Sequence, residues 1–281
     1  MTRAFFYVAT CLALAAQAPA QAPPQRIISL APSVTETVFA LGMGDRLVGV
    51  SVYCDYPPEV TKLDKVGTFL TPNVEAILTK RPDLVLVVPS PGNHSPVEEL
   101  QRLGLRVVVV DPGSLAEIKH SFATIGSALG REAAAGELAV RLDRQIESVT
   151  ARLAAAPLRK VLMVVGQTPL IAAGRDTVQD ELITLARGIN VAARAGSGWP
   201  HLSIELAISA APEVIIDSTM GNEVRVGAGA AESFWNQFAT IPAVRHRRVV
   251  GFRAYEVLRP GPRIGDALER IAHFIHPERI P

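Results

Sequence analysis

The sequence predicts an α/β protein of two lobes, each a mostly parallel sheet flanked by helices, with one long rigid α-helix joining them. Three features point there. Short aliphatic runs bounded by Pro, Gly or Asp alternate with helical patterns along the 281 residues, and continuous rather than alternating apolarity marks strands covered on both faces. The stretch NVEAILTKRPDLVLVV (73–88) is echoed by SIELAISAAPEVIIDS (203–218), so one structural unit is written twice. Between the echoes, residues 130–157 carry a sustained helical stripe.

Residues 1–20 read as an export signal. Arg3, the apolar stretch FFYVATCLALAA and the small residues Ala18-Pro19-Ala20 fit cleavage after Ala20. The apolar stretch is shorter than the roughly 20 residues a membrane span requires. The mature chain is expected to start near Gln21 and to work in the periplasm, with a lipid anchor at Cys11 disfavoured because Thr10 fits poorly before an acylated cysteine.

An N-terminal lobe is expected over 21–129. Its strands are RIISL (26–30), RLVGVS (46–51), DLVLVV (83–88) and LRVVVVD (105–111). Its helices are TETVFALG after Ser33, NVEAILTK after Pro72 and VEELQRLG after Pro96, and this alternation gives a parallel sheet.

The connecting helix takes 130–157: Leu138, Leu142, Gln145 or Ile146, Val149 and Leu153 fall on one face, and Pro157 stops it. About 25 residues rising about 1.5 Å each make a strut of nearly 40 Å, which opposes large hinge closure. A C-terminal lobe over 158–281 repeats the scheme with RKVLMVVG (159–166), DTVQDELITLARG (176–188), IELAIS, EVIID (213–217), RRVVGF (247–252) and a final helix from Arg263. GAGAA (227–231) reads as a loose loop.

Charge and cysteine usage narrow the function. Lys and Arg number 28 against 27 Asp and Glu, a balance with no field to gather nucleic acid or anionic membrane. Once the signal is removed only Cys54 remains, so stability in an oxidising compartment must come from packing rather than a disulfide.

In each echo a glutamate, Glu75 or Glu205, falls in the first helical turn behind a capping residue, Asn73 or Ser203, where the helix dipole favours negative charge. That alone explains the glutamates structurally. It leaves unexplained the aromatic six residues before each of them, Phe69 and Trp199. Strand-to-helix loops open at the carboxyl edge of such sheets, where ligands bind, so two facing lobes would make a cleft with aromatic walls.

Further candidates flank it: Tyr53 and Tyr56 around Cys54-Asp55, His94 in PSPGNHSP, His201 beside Trp199, and Arg259 and Arg263 in RPGPRI. Packing explains the tyrosines and a surface position His94 at least as well, and Arg263 fits a structural role at the start of the final helix, which leaves Arg259 the better candidate of the two arginines. A loop tyrosinate can ligate haem iron, and an imidazole can ligate cobalt or iron, whereas His273 and His276 lack the third ligand a zinc site needs. GxSxG, HExxH, Walker A and the dinucleotide glycine fingerprint do not occur, so an enzyme is not expected. A sensor domain reporting to a membrane partner stays an alternative.

The stretches RIISLAPSVTETVFALG, VGVSVYCDYPPE, VGTFLTPNVEAILTKRPDLVLV, LGLRVVVVD, GWPHLSIELAISAAPEVII and RPGPRI stand in an order that resembles the helical-backbone (class III) periplasmic solute-binding proteins of ABC importers. That family carries cobalamin, haem and ferric siderophores, and the resemblance covers about residues 25–278. Its cobalamin-binding branch is the most similar. The resemblance implies no cofactor and no catalysis, a monomer, and a corrinoid or other metal chelate held by Tyr53, Phe69, Trp199 and Arg259. It further implies that Glu75 and Glu205 dock onto arginines of two permease subunits. Departures are Phe69 where a tryptophan is usual, Ile171 for a phenylalanine and Tyr255 for an aspartate, so haem or a siderophore stays open.

Overall fold

The structure is a computed structural model that describes residues 22–219, 228–251 and 258–280; the expected export signal and Tyr255 lie outside the described residues. In the first half, β1 (Ile27–Ser29), β2 (Leu47–Val50), β3 (Leu84–Val87) and β4 (Val107–Val109) form a parallel sheet in the order β2-β1-β3-β4. Helices α1 (Pro32–Ala40), α2 (Val74–Thr79) and α3 (His94–Arg102) connect successive strands. A further helix, α4 (Leu115–Leu129), was not expected from the sequence. Ser114 caps it by accepting from the Glu117 amide at 3.2 Å, and Gly130 ends it in the left-handed conformation with φ of 67°.

That turn delays the connecting helix. α5 runs Glu132–Leu153, 22 residues or about 33 Å, somewhat shorter than expected. Ala135, Leu138, Leu142, Val149 and Leu153 are buried along its stripe. Gln145 plays another part, donating its amide to Asp266 at 2.8 Å. α5 is packed between α4 and the last helix, α10 (Ile264–Ile275).

The second half is built around β5 (Arg159–Gln167). β8 (Val214–Asp217) lies parallel on one side with β9 (Val249–Gly251) beyond it. The other side is shared by β7 (Gly188–Asn190), parallel to Arg159–Val161, and β6 (Leu170–Ala172), antiparallel to the last residues of β5. Helices α6 (Val178–Leu185), α7 (Ile204–Ala210), α8 (Ala228–Trp235) and α9 (Pro242–Arg245) complete it. α8 corrects the expected loop at GAGAA: from Ala228 onward these residues are helical, and the buried Ala231 and Trp235, four apart, anchor the helix on the sheet.

Strand side chains alternate between cores. One continuous cluster takes Ile27, Leu84 and Leu86 from the first sheet, Leu138, Leu142, Val149 and Leu153 from α5, and Val161, Met163, Val214 and Ile216 from the second sheet. Ile28, Val85 and Val87 face a separate outer core of the first half, and Leu162, Val164 and Ile215 that of the second. The two halves therefore share an apolar interior through α5.

Candidate functional site

The repeated stretch forms α2 and α7, and the structure divides its residues by task. Asn73 caps α2 by accepting from the Ala76 amide at 2.9 Å, and Ser203 caps α7 by accepting from Leu206 at 3.2 Å. Each segment then turns through a left-handed residue, Arg81 (φ 46°) or Ala211 (φ 49°), and a proline. The acid that follows clamps the start of the neighbouring strand. Asp83 accepts from the amides of Gln25 and Arg26 at 2.7 and 3.0 Å, and Glu213 from that of Lys160 at 2.8 Å. In return the Asp83 and Glu213 amides donate to the Arg26 and Lys160 carbonyls at 2.9 and 2.8 Å. Glu75 and Glu205 make no such clamp and stand exposed in the first turns. The backbone amide of Glu205 and the Ser203 hydroxyl hold the Glu205 carboxyl below its usual pKa.

The aromatic residues are presented by loops braced from behind. The Tyr53 and Phe69 rings lie 5.6 Å apart at 60°. The Asn93 amide, buried in the loop before α3, donates to the Phe69 and Val88 carbonyls, both at 2.8 Å. Gly67 has φ of 102°, and a Cβ there would come within 2.7 Å of the Asn73 amide and the Thr71 carbonyl. Trp199 projects from a loop laced to the end of β6: Gly174 donates to Gly198 and Gly198 to Arg175, each at 2.8 Å, and Leu202 donates to Leu170 at 2.9 Å. Tyr53 is 47% and Trp199 46% exposed. Among the described residues neither Phe69 nor Trp199 belongs to a hydrophobic cluster.

Arg259 crosses from the second half to the first. It is buried, pairs through both terminal nitrogens with Asp55, and donates to the Tyr53 carbonyl at 3.0 Å. The buried Glu36 of α1 lies 3.8 Å from it. Glu36 in turn takes two hydrogen bonds, 2.7 and 2.8 Å, from Arg263, whose guanidinium sits 4.0 Å over the Tyr56 ring. Beside these pairs a cavity of about 640 Å³ opens between the halves, with Phe39, Tyr56, Arg141, Gln145 and Asp266 in its wall. It includes neither Phe69 nor Trp199.

The histidines are dispersed. His94 opens α3, exposed, 3.7 Å from Glu98. His201 is exposed and bridges Ile171 through the backbone. Among the described residues no group of three or more His, Cys, Asp or Glu is arranged to hold a metal ion. Sequence reasoning missed Asn93, Glu36 and the role of Asp55. Only Asn93 carried a local signal, an Asx residue between two turns.

Residues 27–256 match the periplasmic binding protein family. The chain belongs to that family. A vitamin B12-binding protein of Photorhabdus laumondii is 29% identical over 255 residues, 91% of this chain and 89% of the relative. One from Yersinia pestis is 30% identical over 226 residues, 80% of this chain and 79% of its own. Among solved structures, the periplasmic vitamin B12-binding protein of Vibrio cholerae superposes with a TM-score of 0.79 at 28% identity, covering 90% of this chain and 97% of that one. The periplasmic haem-binding protein RhuT of Roseiflexus does so at 0.81 and 30%, covering 90% and 98%. The two-lobed α/β architecture of this periplasmic binding protein is thus that of its solved relatives. Those relatives are named as binding proteins, and this chain, of the same family, stands with them rather than among enzymes.

Proposed function

We propose that this periplasmic binding protein captures cobalamin or a related corrinoid between its lobes and hands it to an ABC importer. Tyr53, Phe69 and Trp199 supply stacking surface, with Arg259, His94, His201 and Tyr255 at the margins. The observation that carries this reading is the pair of pseudo-equivalent loops presenting Phe69, packed on Tyr53, and a half-exposed Trp199 outside every core cluster described. Stacked rings bury about 150–250 Å² each, enough to grip a flat macrocycle. Delivery uses Glu75 and Glu205, one on each half, against basic groups of a paired permease. Export by cleavage after Ala20 and a monomeric state complete the proposal.

Titration of the purified protein with cyanocobalamin, haemin and a ferric siderophore tests it. Trp199 is the ligand reporter: Trp235 is wholly buried and donates its indole N–H to Asp217 at 2.7 Å. Cyanocobalamin is expected to quench fluorescence, and Trp199→Phe to abolish most of that change. Haem is the second reading, favoured by the exposed Tyr53 phenol and the similarity to a haem-binding protein. Binding of haemin alone, with a Soret shift lost in Tyr53→Phe, would select haem over the corrinoid.

A further inference from the structure

Arg259 is engaged by groups of the protein itself. Two guanidinium groups, Arg259 and Arg263, face two carboxylates, Asp55 and Glu36, within one connected set of ion pairs. Among these four described groups the formal charges balance. Glu36 is buried and bound by Arg263, so its charge is fixed in place. Asp55 differs: its side chain is 48% exposed while that of Arg259 is 9% exposed, so the carboxylate covers the cation from the solvent side. The same guanidinium reaches the Tyr53 carbonyl, which puts this covered charge against the backbone of the residue whose ring packs on Phe69.

We propose that Asp55 sets the chemical class of ligand. By holding Arg259 in a two-point pair it offsets the positive charge beside the Tyr53 backbone, so the cleft accepts macrocycles with neutral, amide-type peripheries and disfavours those with free carboxylates. This rests on the tetrapyrrole reading of the same cleft. Guanidinium matches a carboxylate in the same forked geometry that Asp55 now occupies, so a carboxylated ligand meets a group already satisfied and a like charge at its edge. Removing the Asp55 charge takes one negative charge away from the guanidinium and so shifts the set toward positive.

The test compares matched ligand pairs: cyanocobalamin with its monocarboxylic acid, and haemin with its dimethyl ester. Asp55→Asn keeps the volume and one acceptor for Arg259 but removes the charge. For whichever macrocycle binds, the affinity ratio of acid to neutral form is expected to rise about tenfold in Asp55→Asn, equivalent to about 1.4 kcal/mol. That gain shrinks between about 0.01 M and about 1 M salt, as the screening length falls from about 30 Å to about 3 Å. Adding Arg259→Gln to Asp55→Asn returns the ratio to the wild-type value. An unchanged ratio, a gain indifferent to salt, or a gain that survives Arg259→Gln overturns the role of Asp55 while leaving tetrapyrrole binding standing. Failure of the wild-type protein to bind any of the four compounds overturns the tetrapyrrole reading and this proposal with it.

Discussion

His276 shows how a single buried group ties stability to acidity. It lies at the end of α10 with no exposed surface, its Nδ1 3.3 Å from Glu278 and its Nε2 without a hydrogen-bond partner among the described residues. Burial, aided by the Arg159 guanidinium and opposed by Glu278, lowers its pKa below the usual 6.5. The unfolded chain therefore takes up a proton at a pH where the folded protein resists it. Stability is complete above about pH 6.5 and is lost as the pH falls through the lower folded value. Thermal melts from about pH 8 to about pH 5 should show a falling midpoint, and His276→Leu should flatten that fall. An identical slope in the variant would assign the effect to other groups. Nearby, Arg159 and Arg248 both donate to the Ile275 carbonyl, at 2.5 and 2.7 Å, which neutralises the negative end of α10.

At the scale of elements, α2 and α7 carry matched caps, matched left-handed exits and matched acid clamps, and their glutamates stand exposed in the first turns, outside those clamps. Glu75→Ala with Glu205→Ala should leave ligand titrations unaltered and lower importer-dependent uptake; uptake equal to wild type would refute the docking role. The caps and exits were legible, because capping residues and prolines act within one helix of themselves in sequence; the acid clamps were not, since Asp83 and Glu213 reach partners 53 to 58 residues away. α4 carries equally legible marks: Ser114 and Gly130 bracket it, and the buried Ile118, Phe122, Ile125 and Leu129 recur along one face. The pairing of Arg259 with Asp55 was not legible, since 204 residues separate them and no local pattern marks the contact. Gln145 was similarly opaque. It stands on the apolar stripe of α5, yet its partner, Asp266, lies 121 residues onward.

For the whole molecule, the decisive feature is the apolar interior that passes from the first sheet through α5 into the second. Leu142 sits on its buried stripe, 3% exposed. Leu142→Ala should cost about 2–5 kcal/mol and lower the melting midpoint of both halves together, in one transition followed equally by Trp235 fluorescence and far-ultraviolet circular dichroism. Two separated transitions would show that the halves unfold independently. The ion pairs that Arg259 and Arg263 make with Asp55 and Glu36 fasten the lobes at a second place. Halves stitched together along a spine in this manner resist being pulled apart. Under the carrier role proposed above, the wrench that frees a captured molecule is applied from outside, by the machinery that receives it.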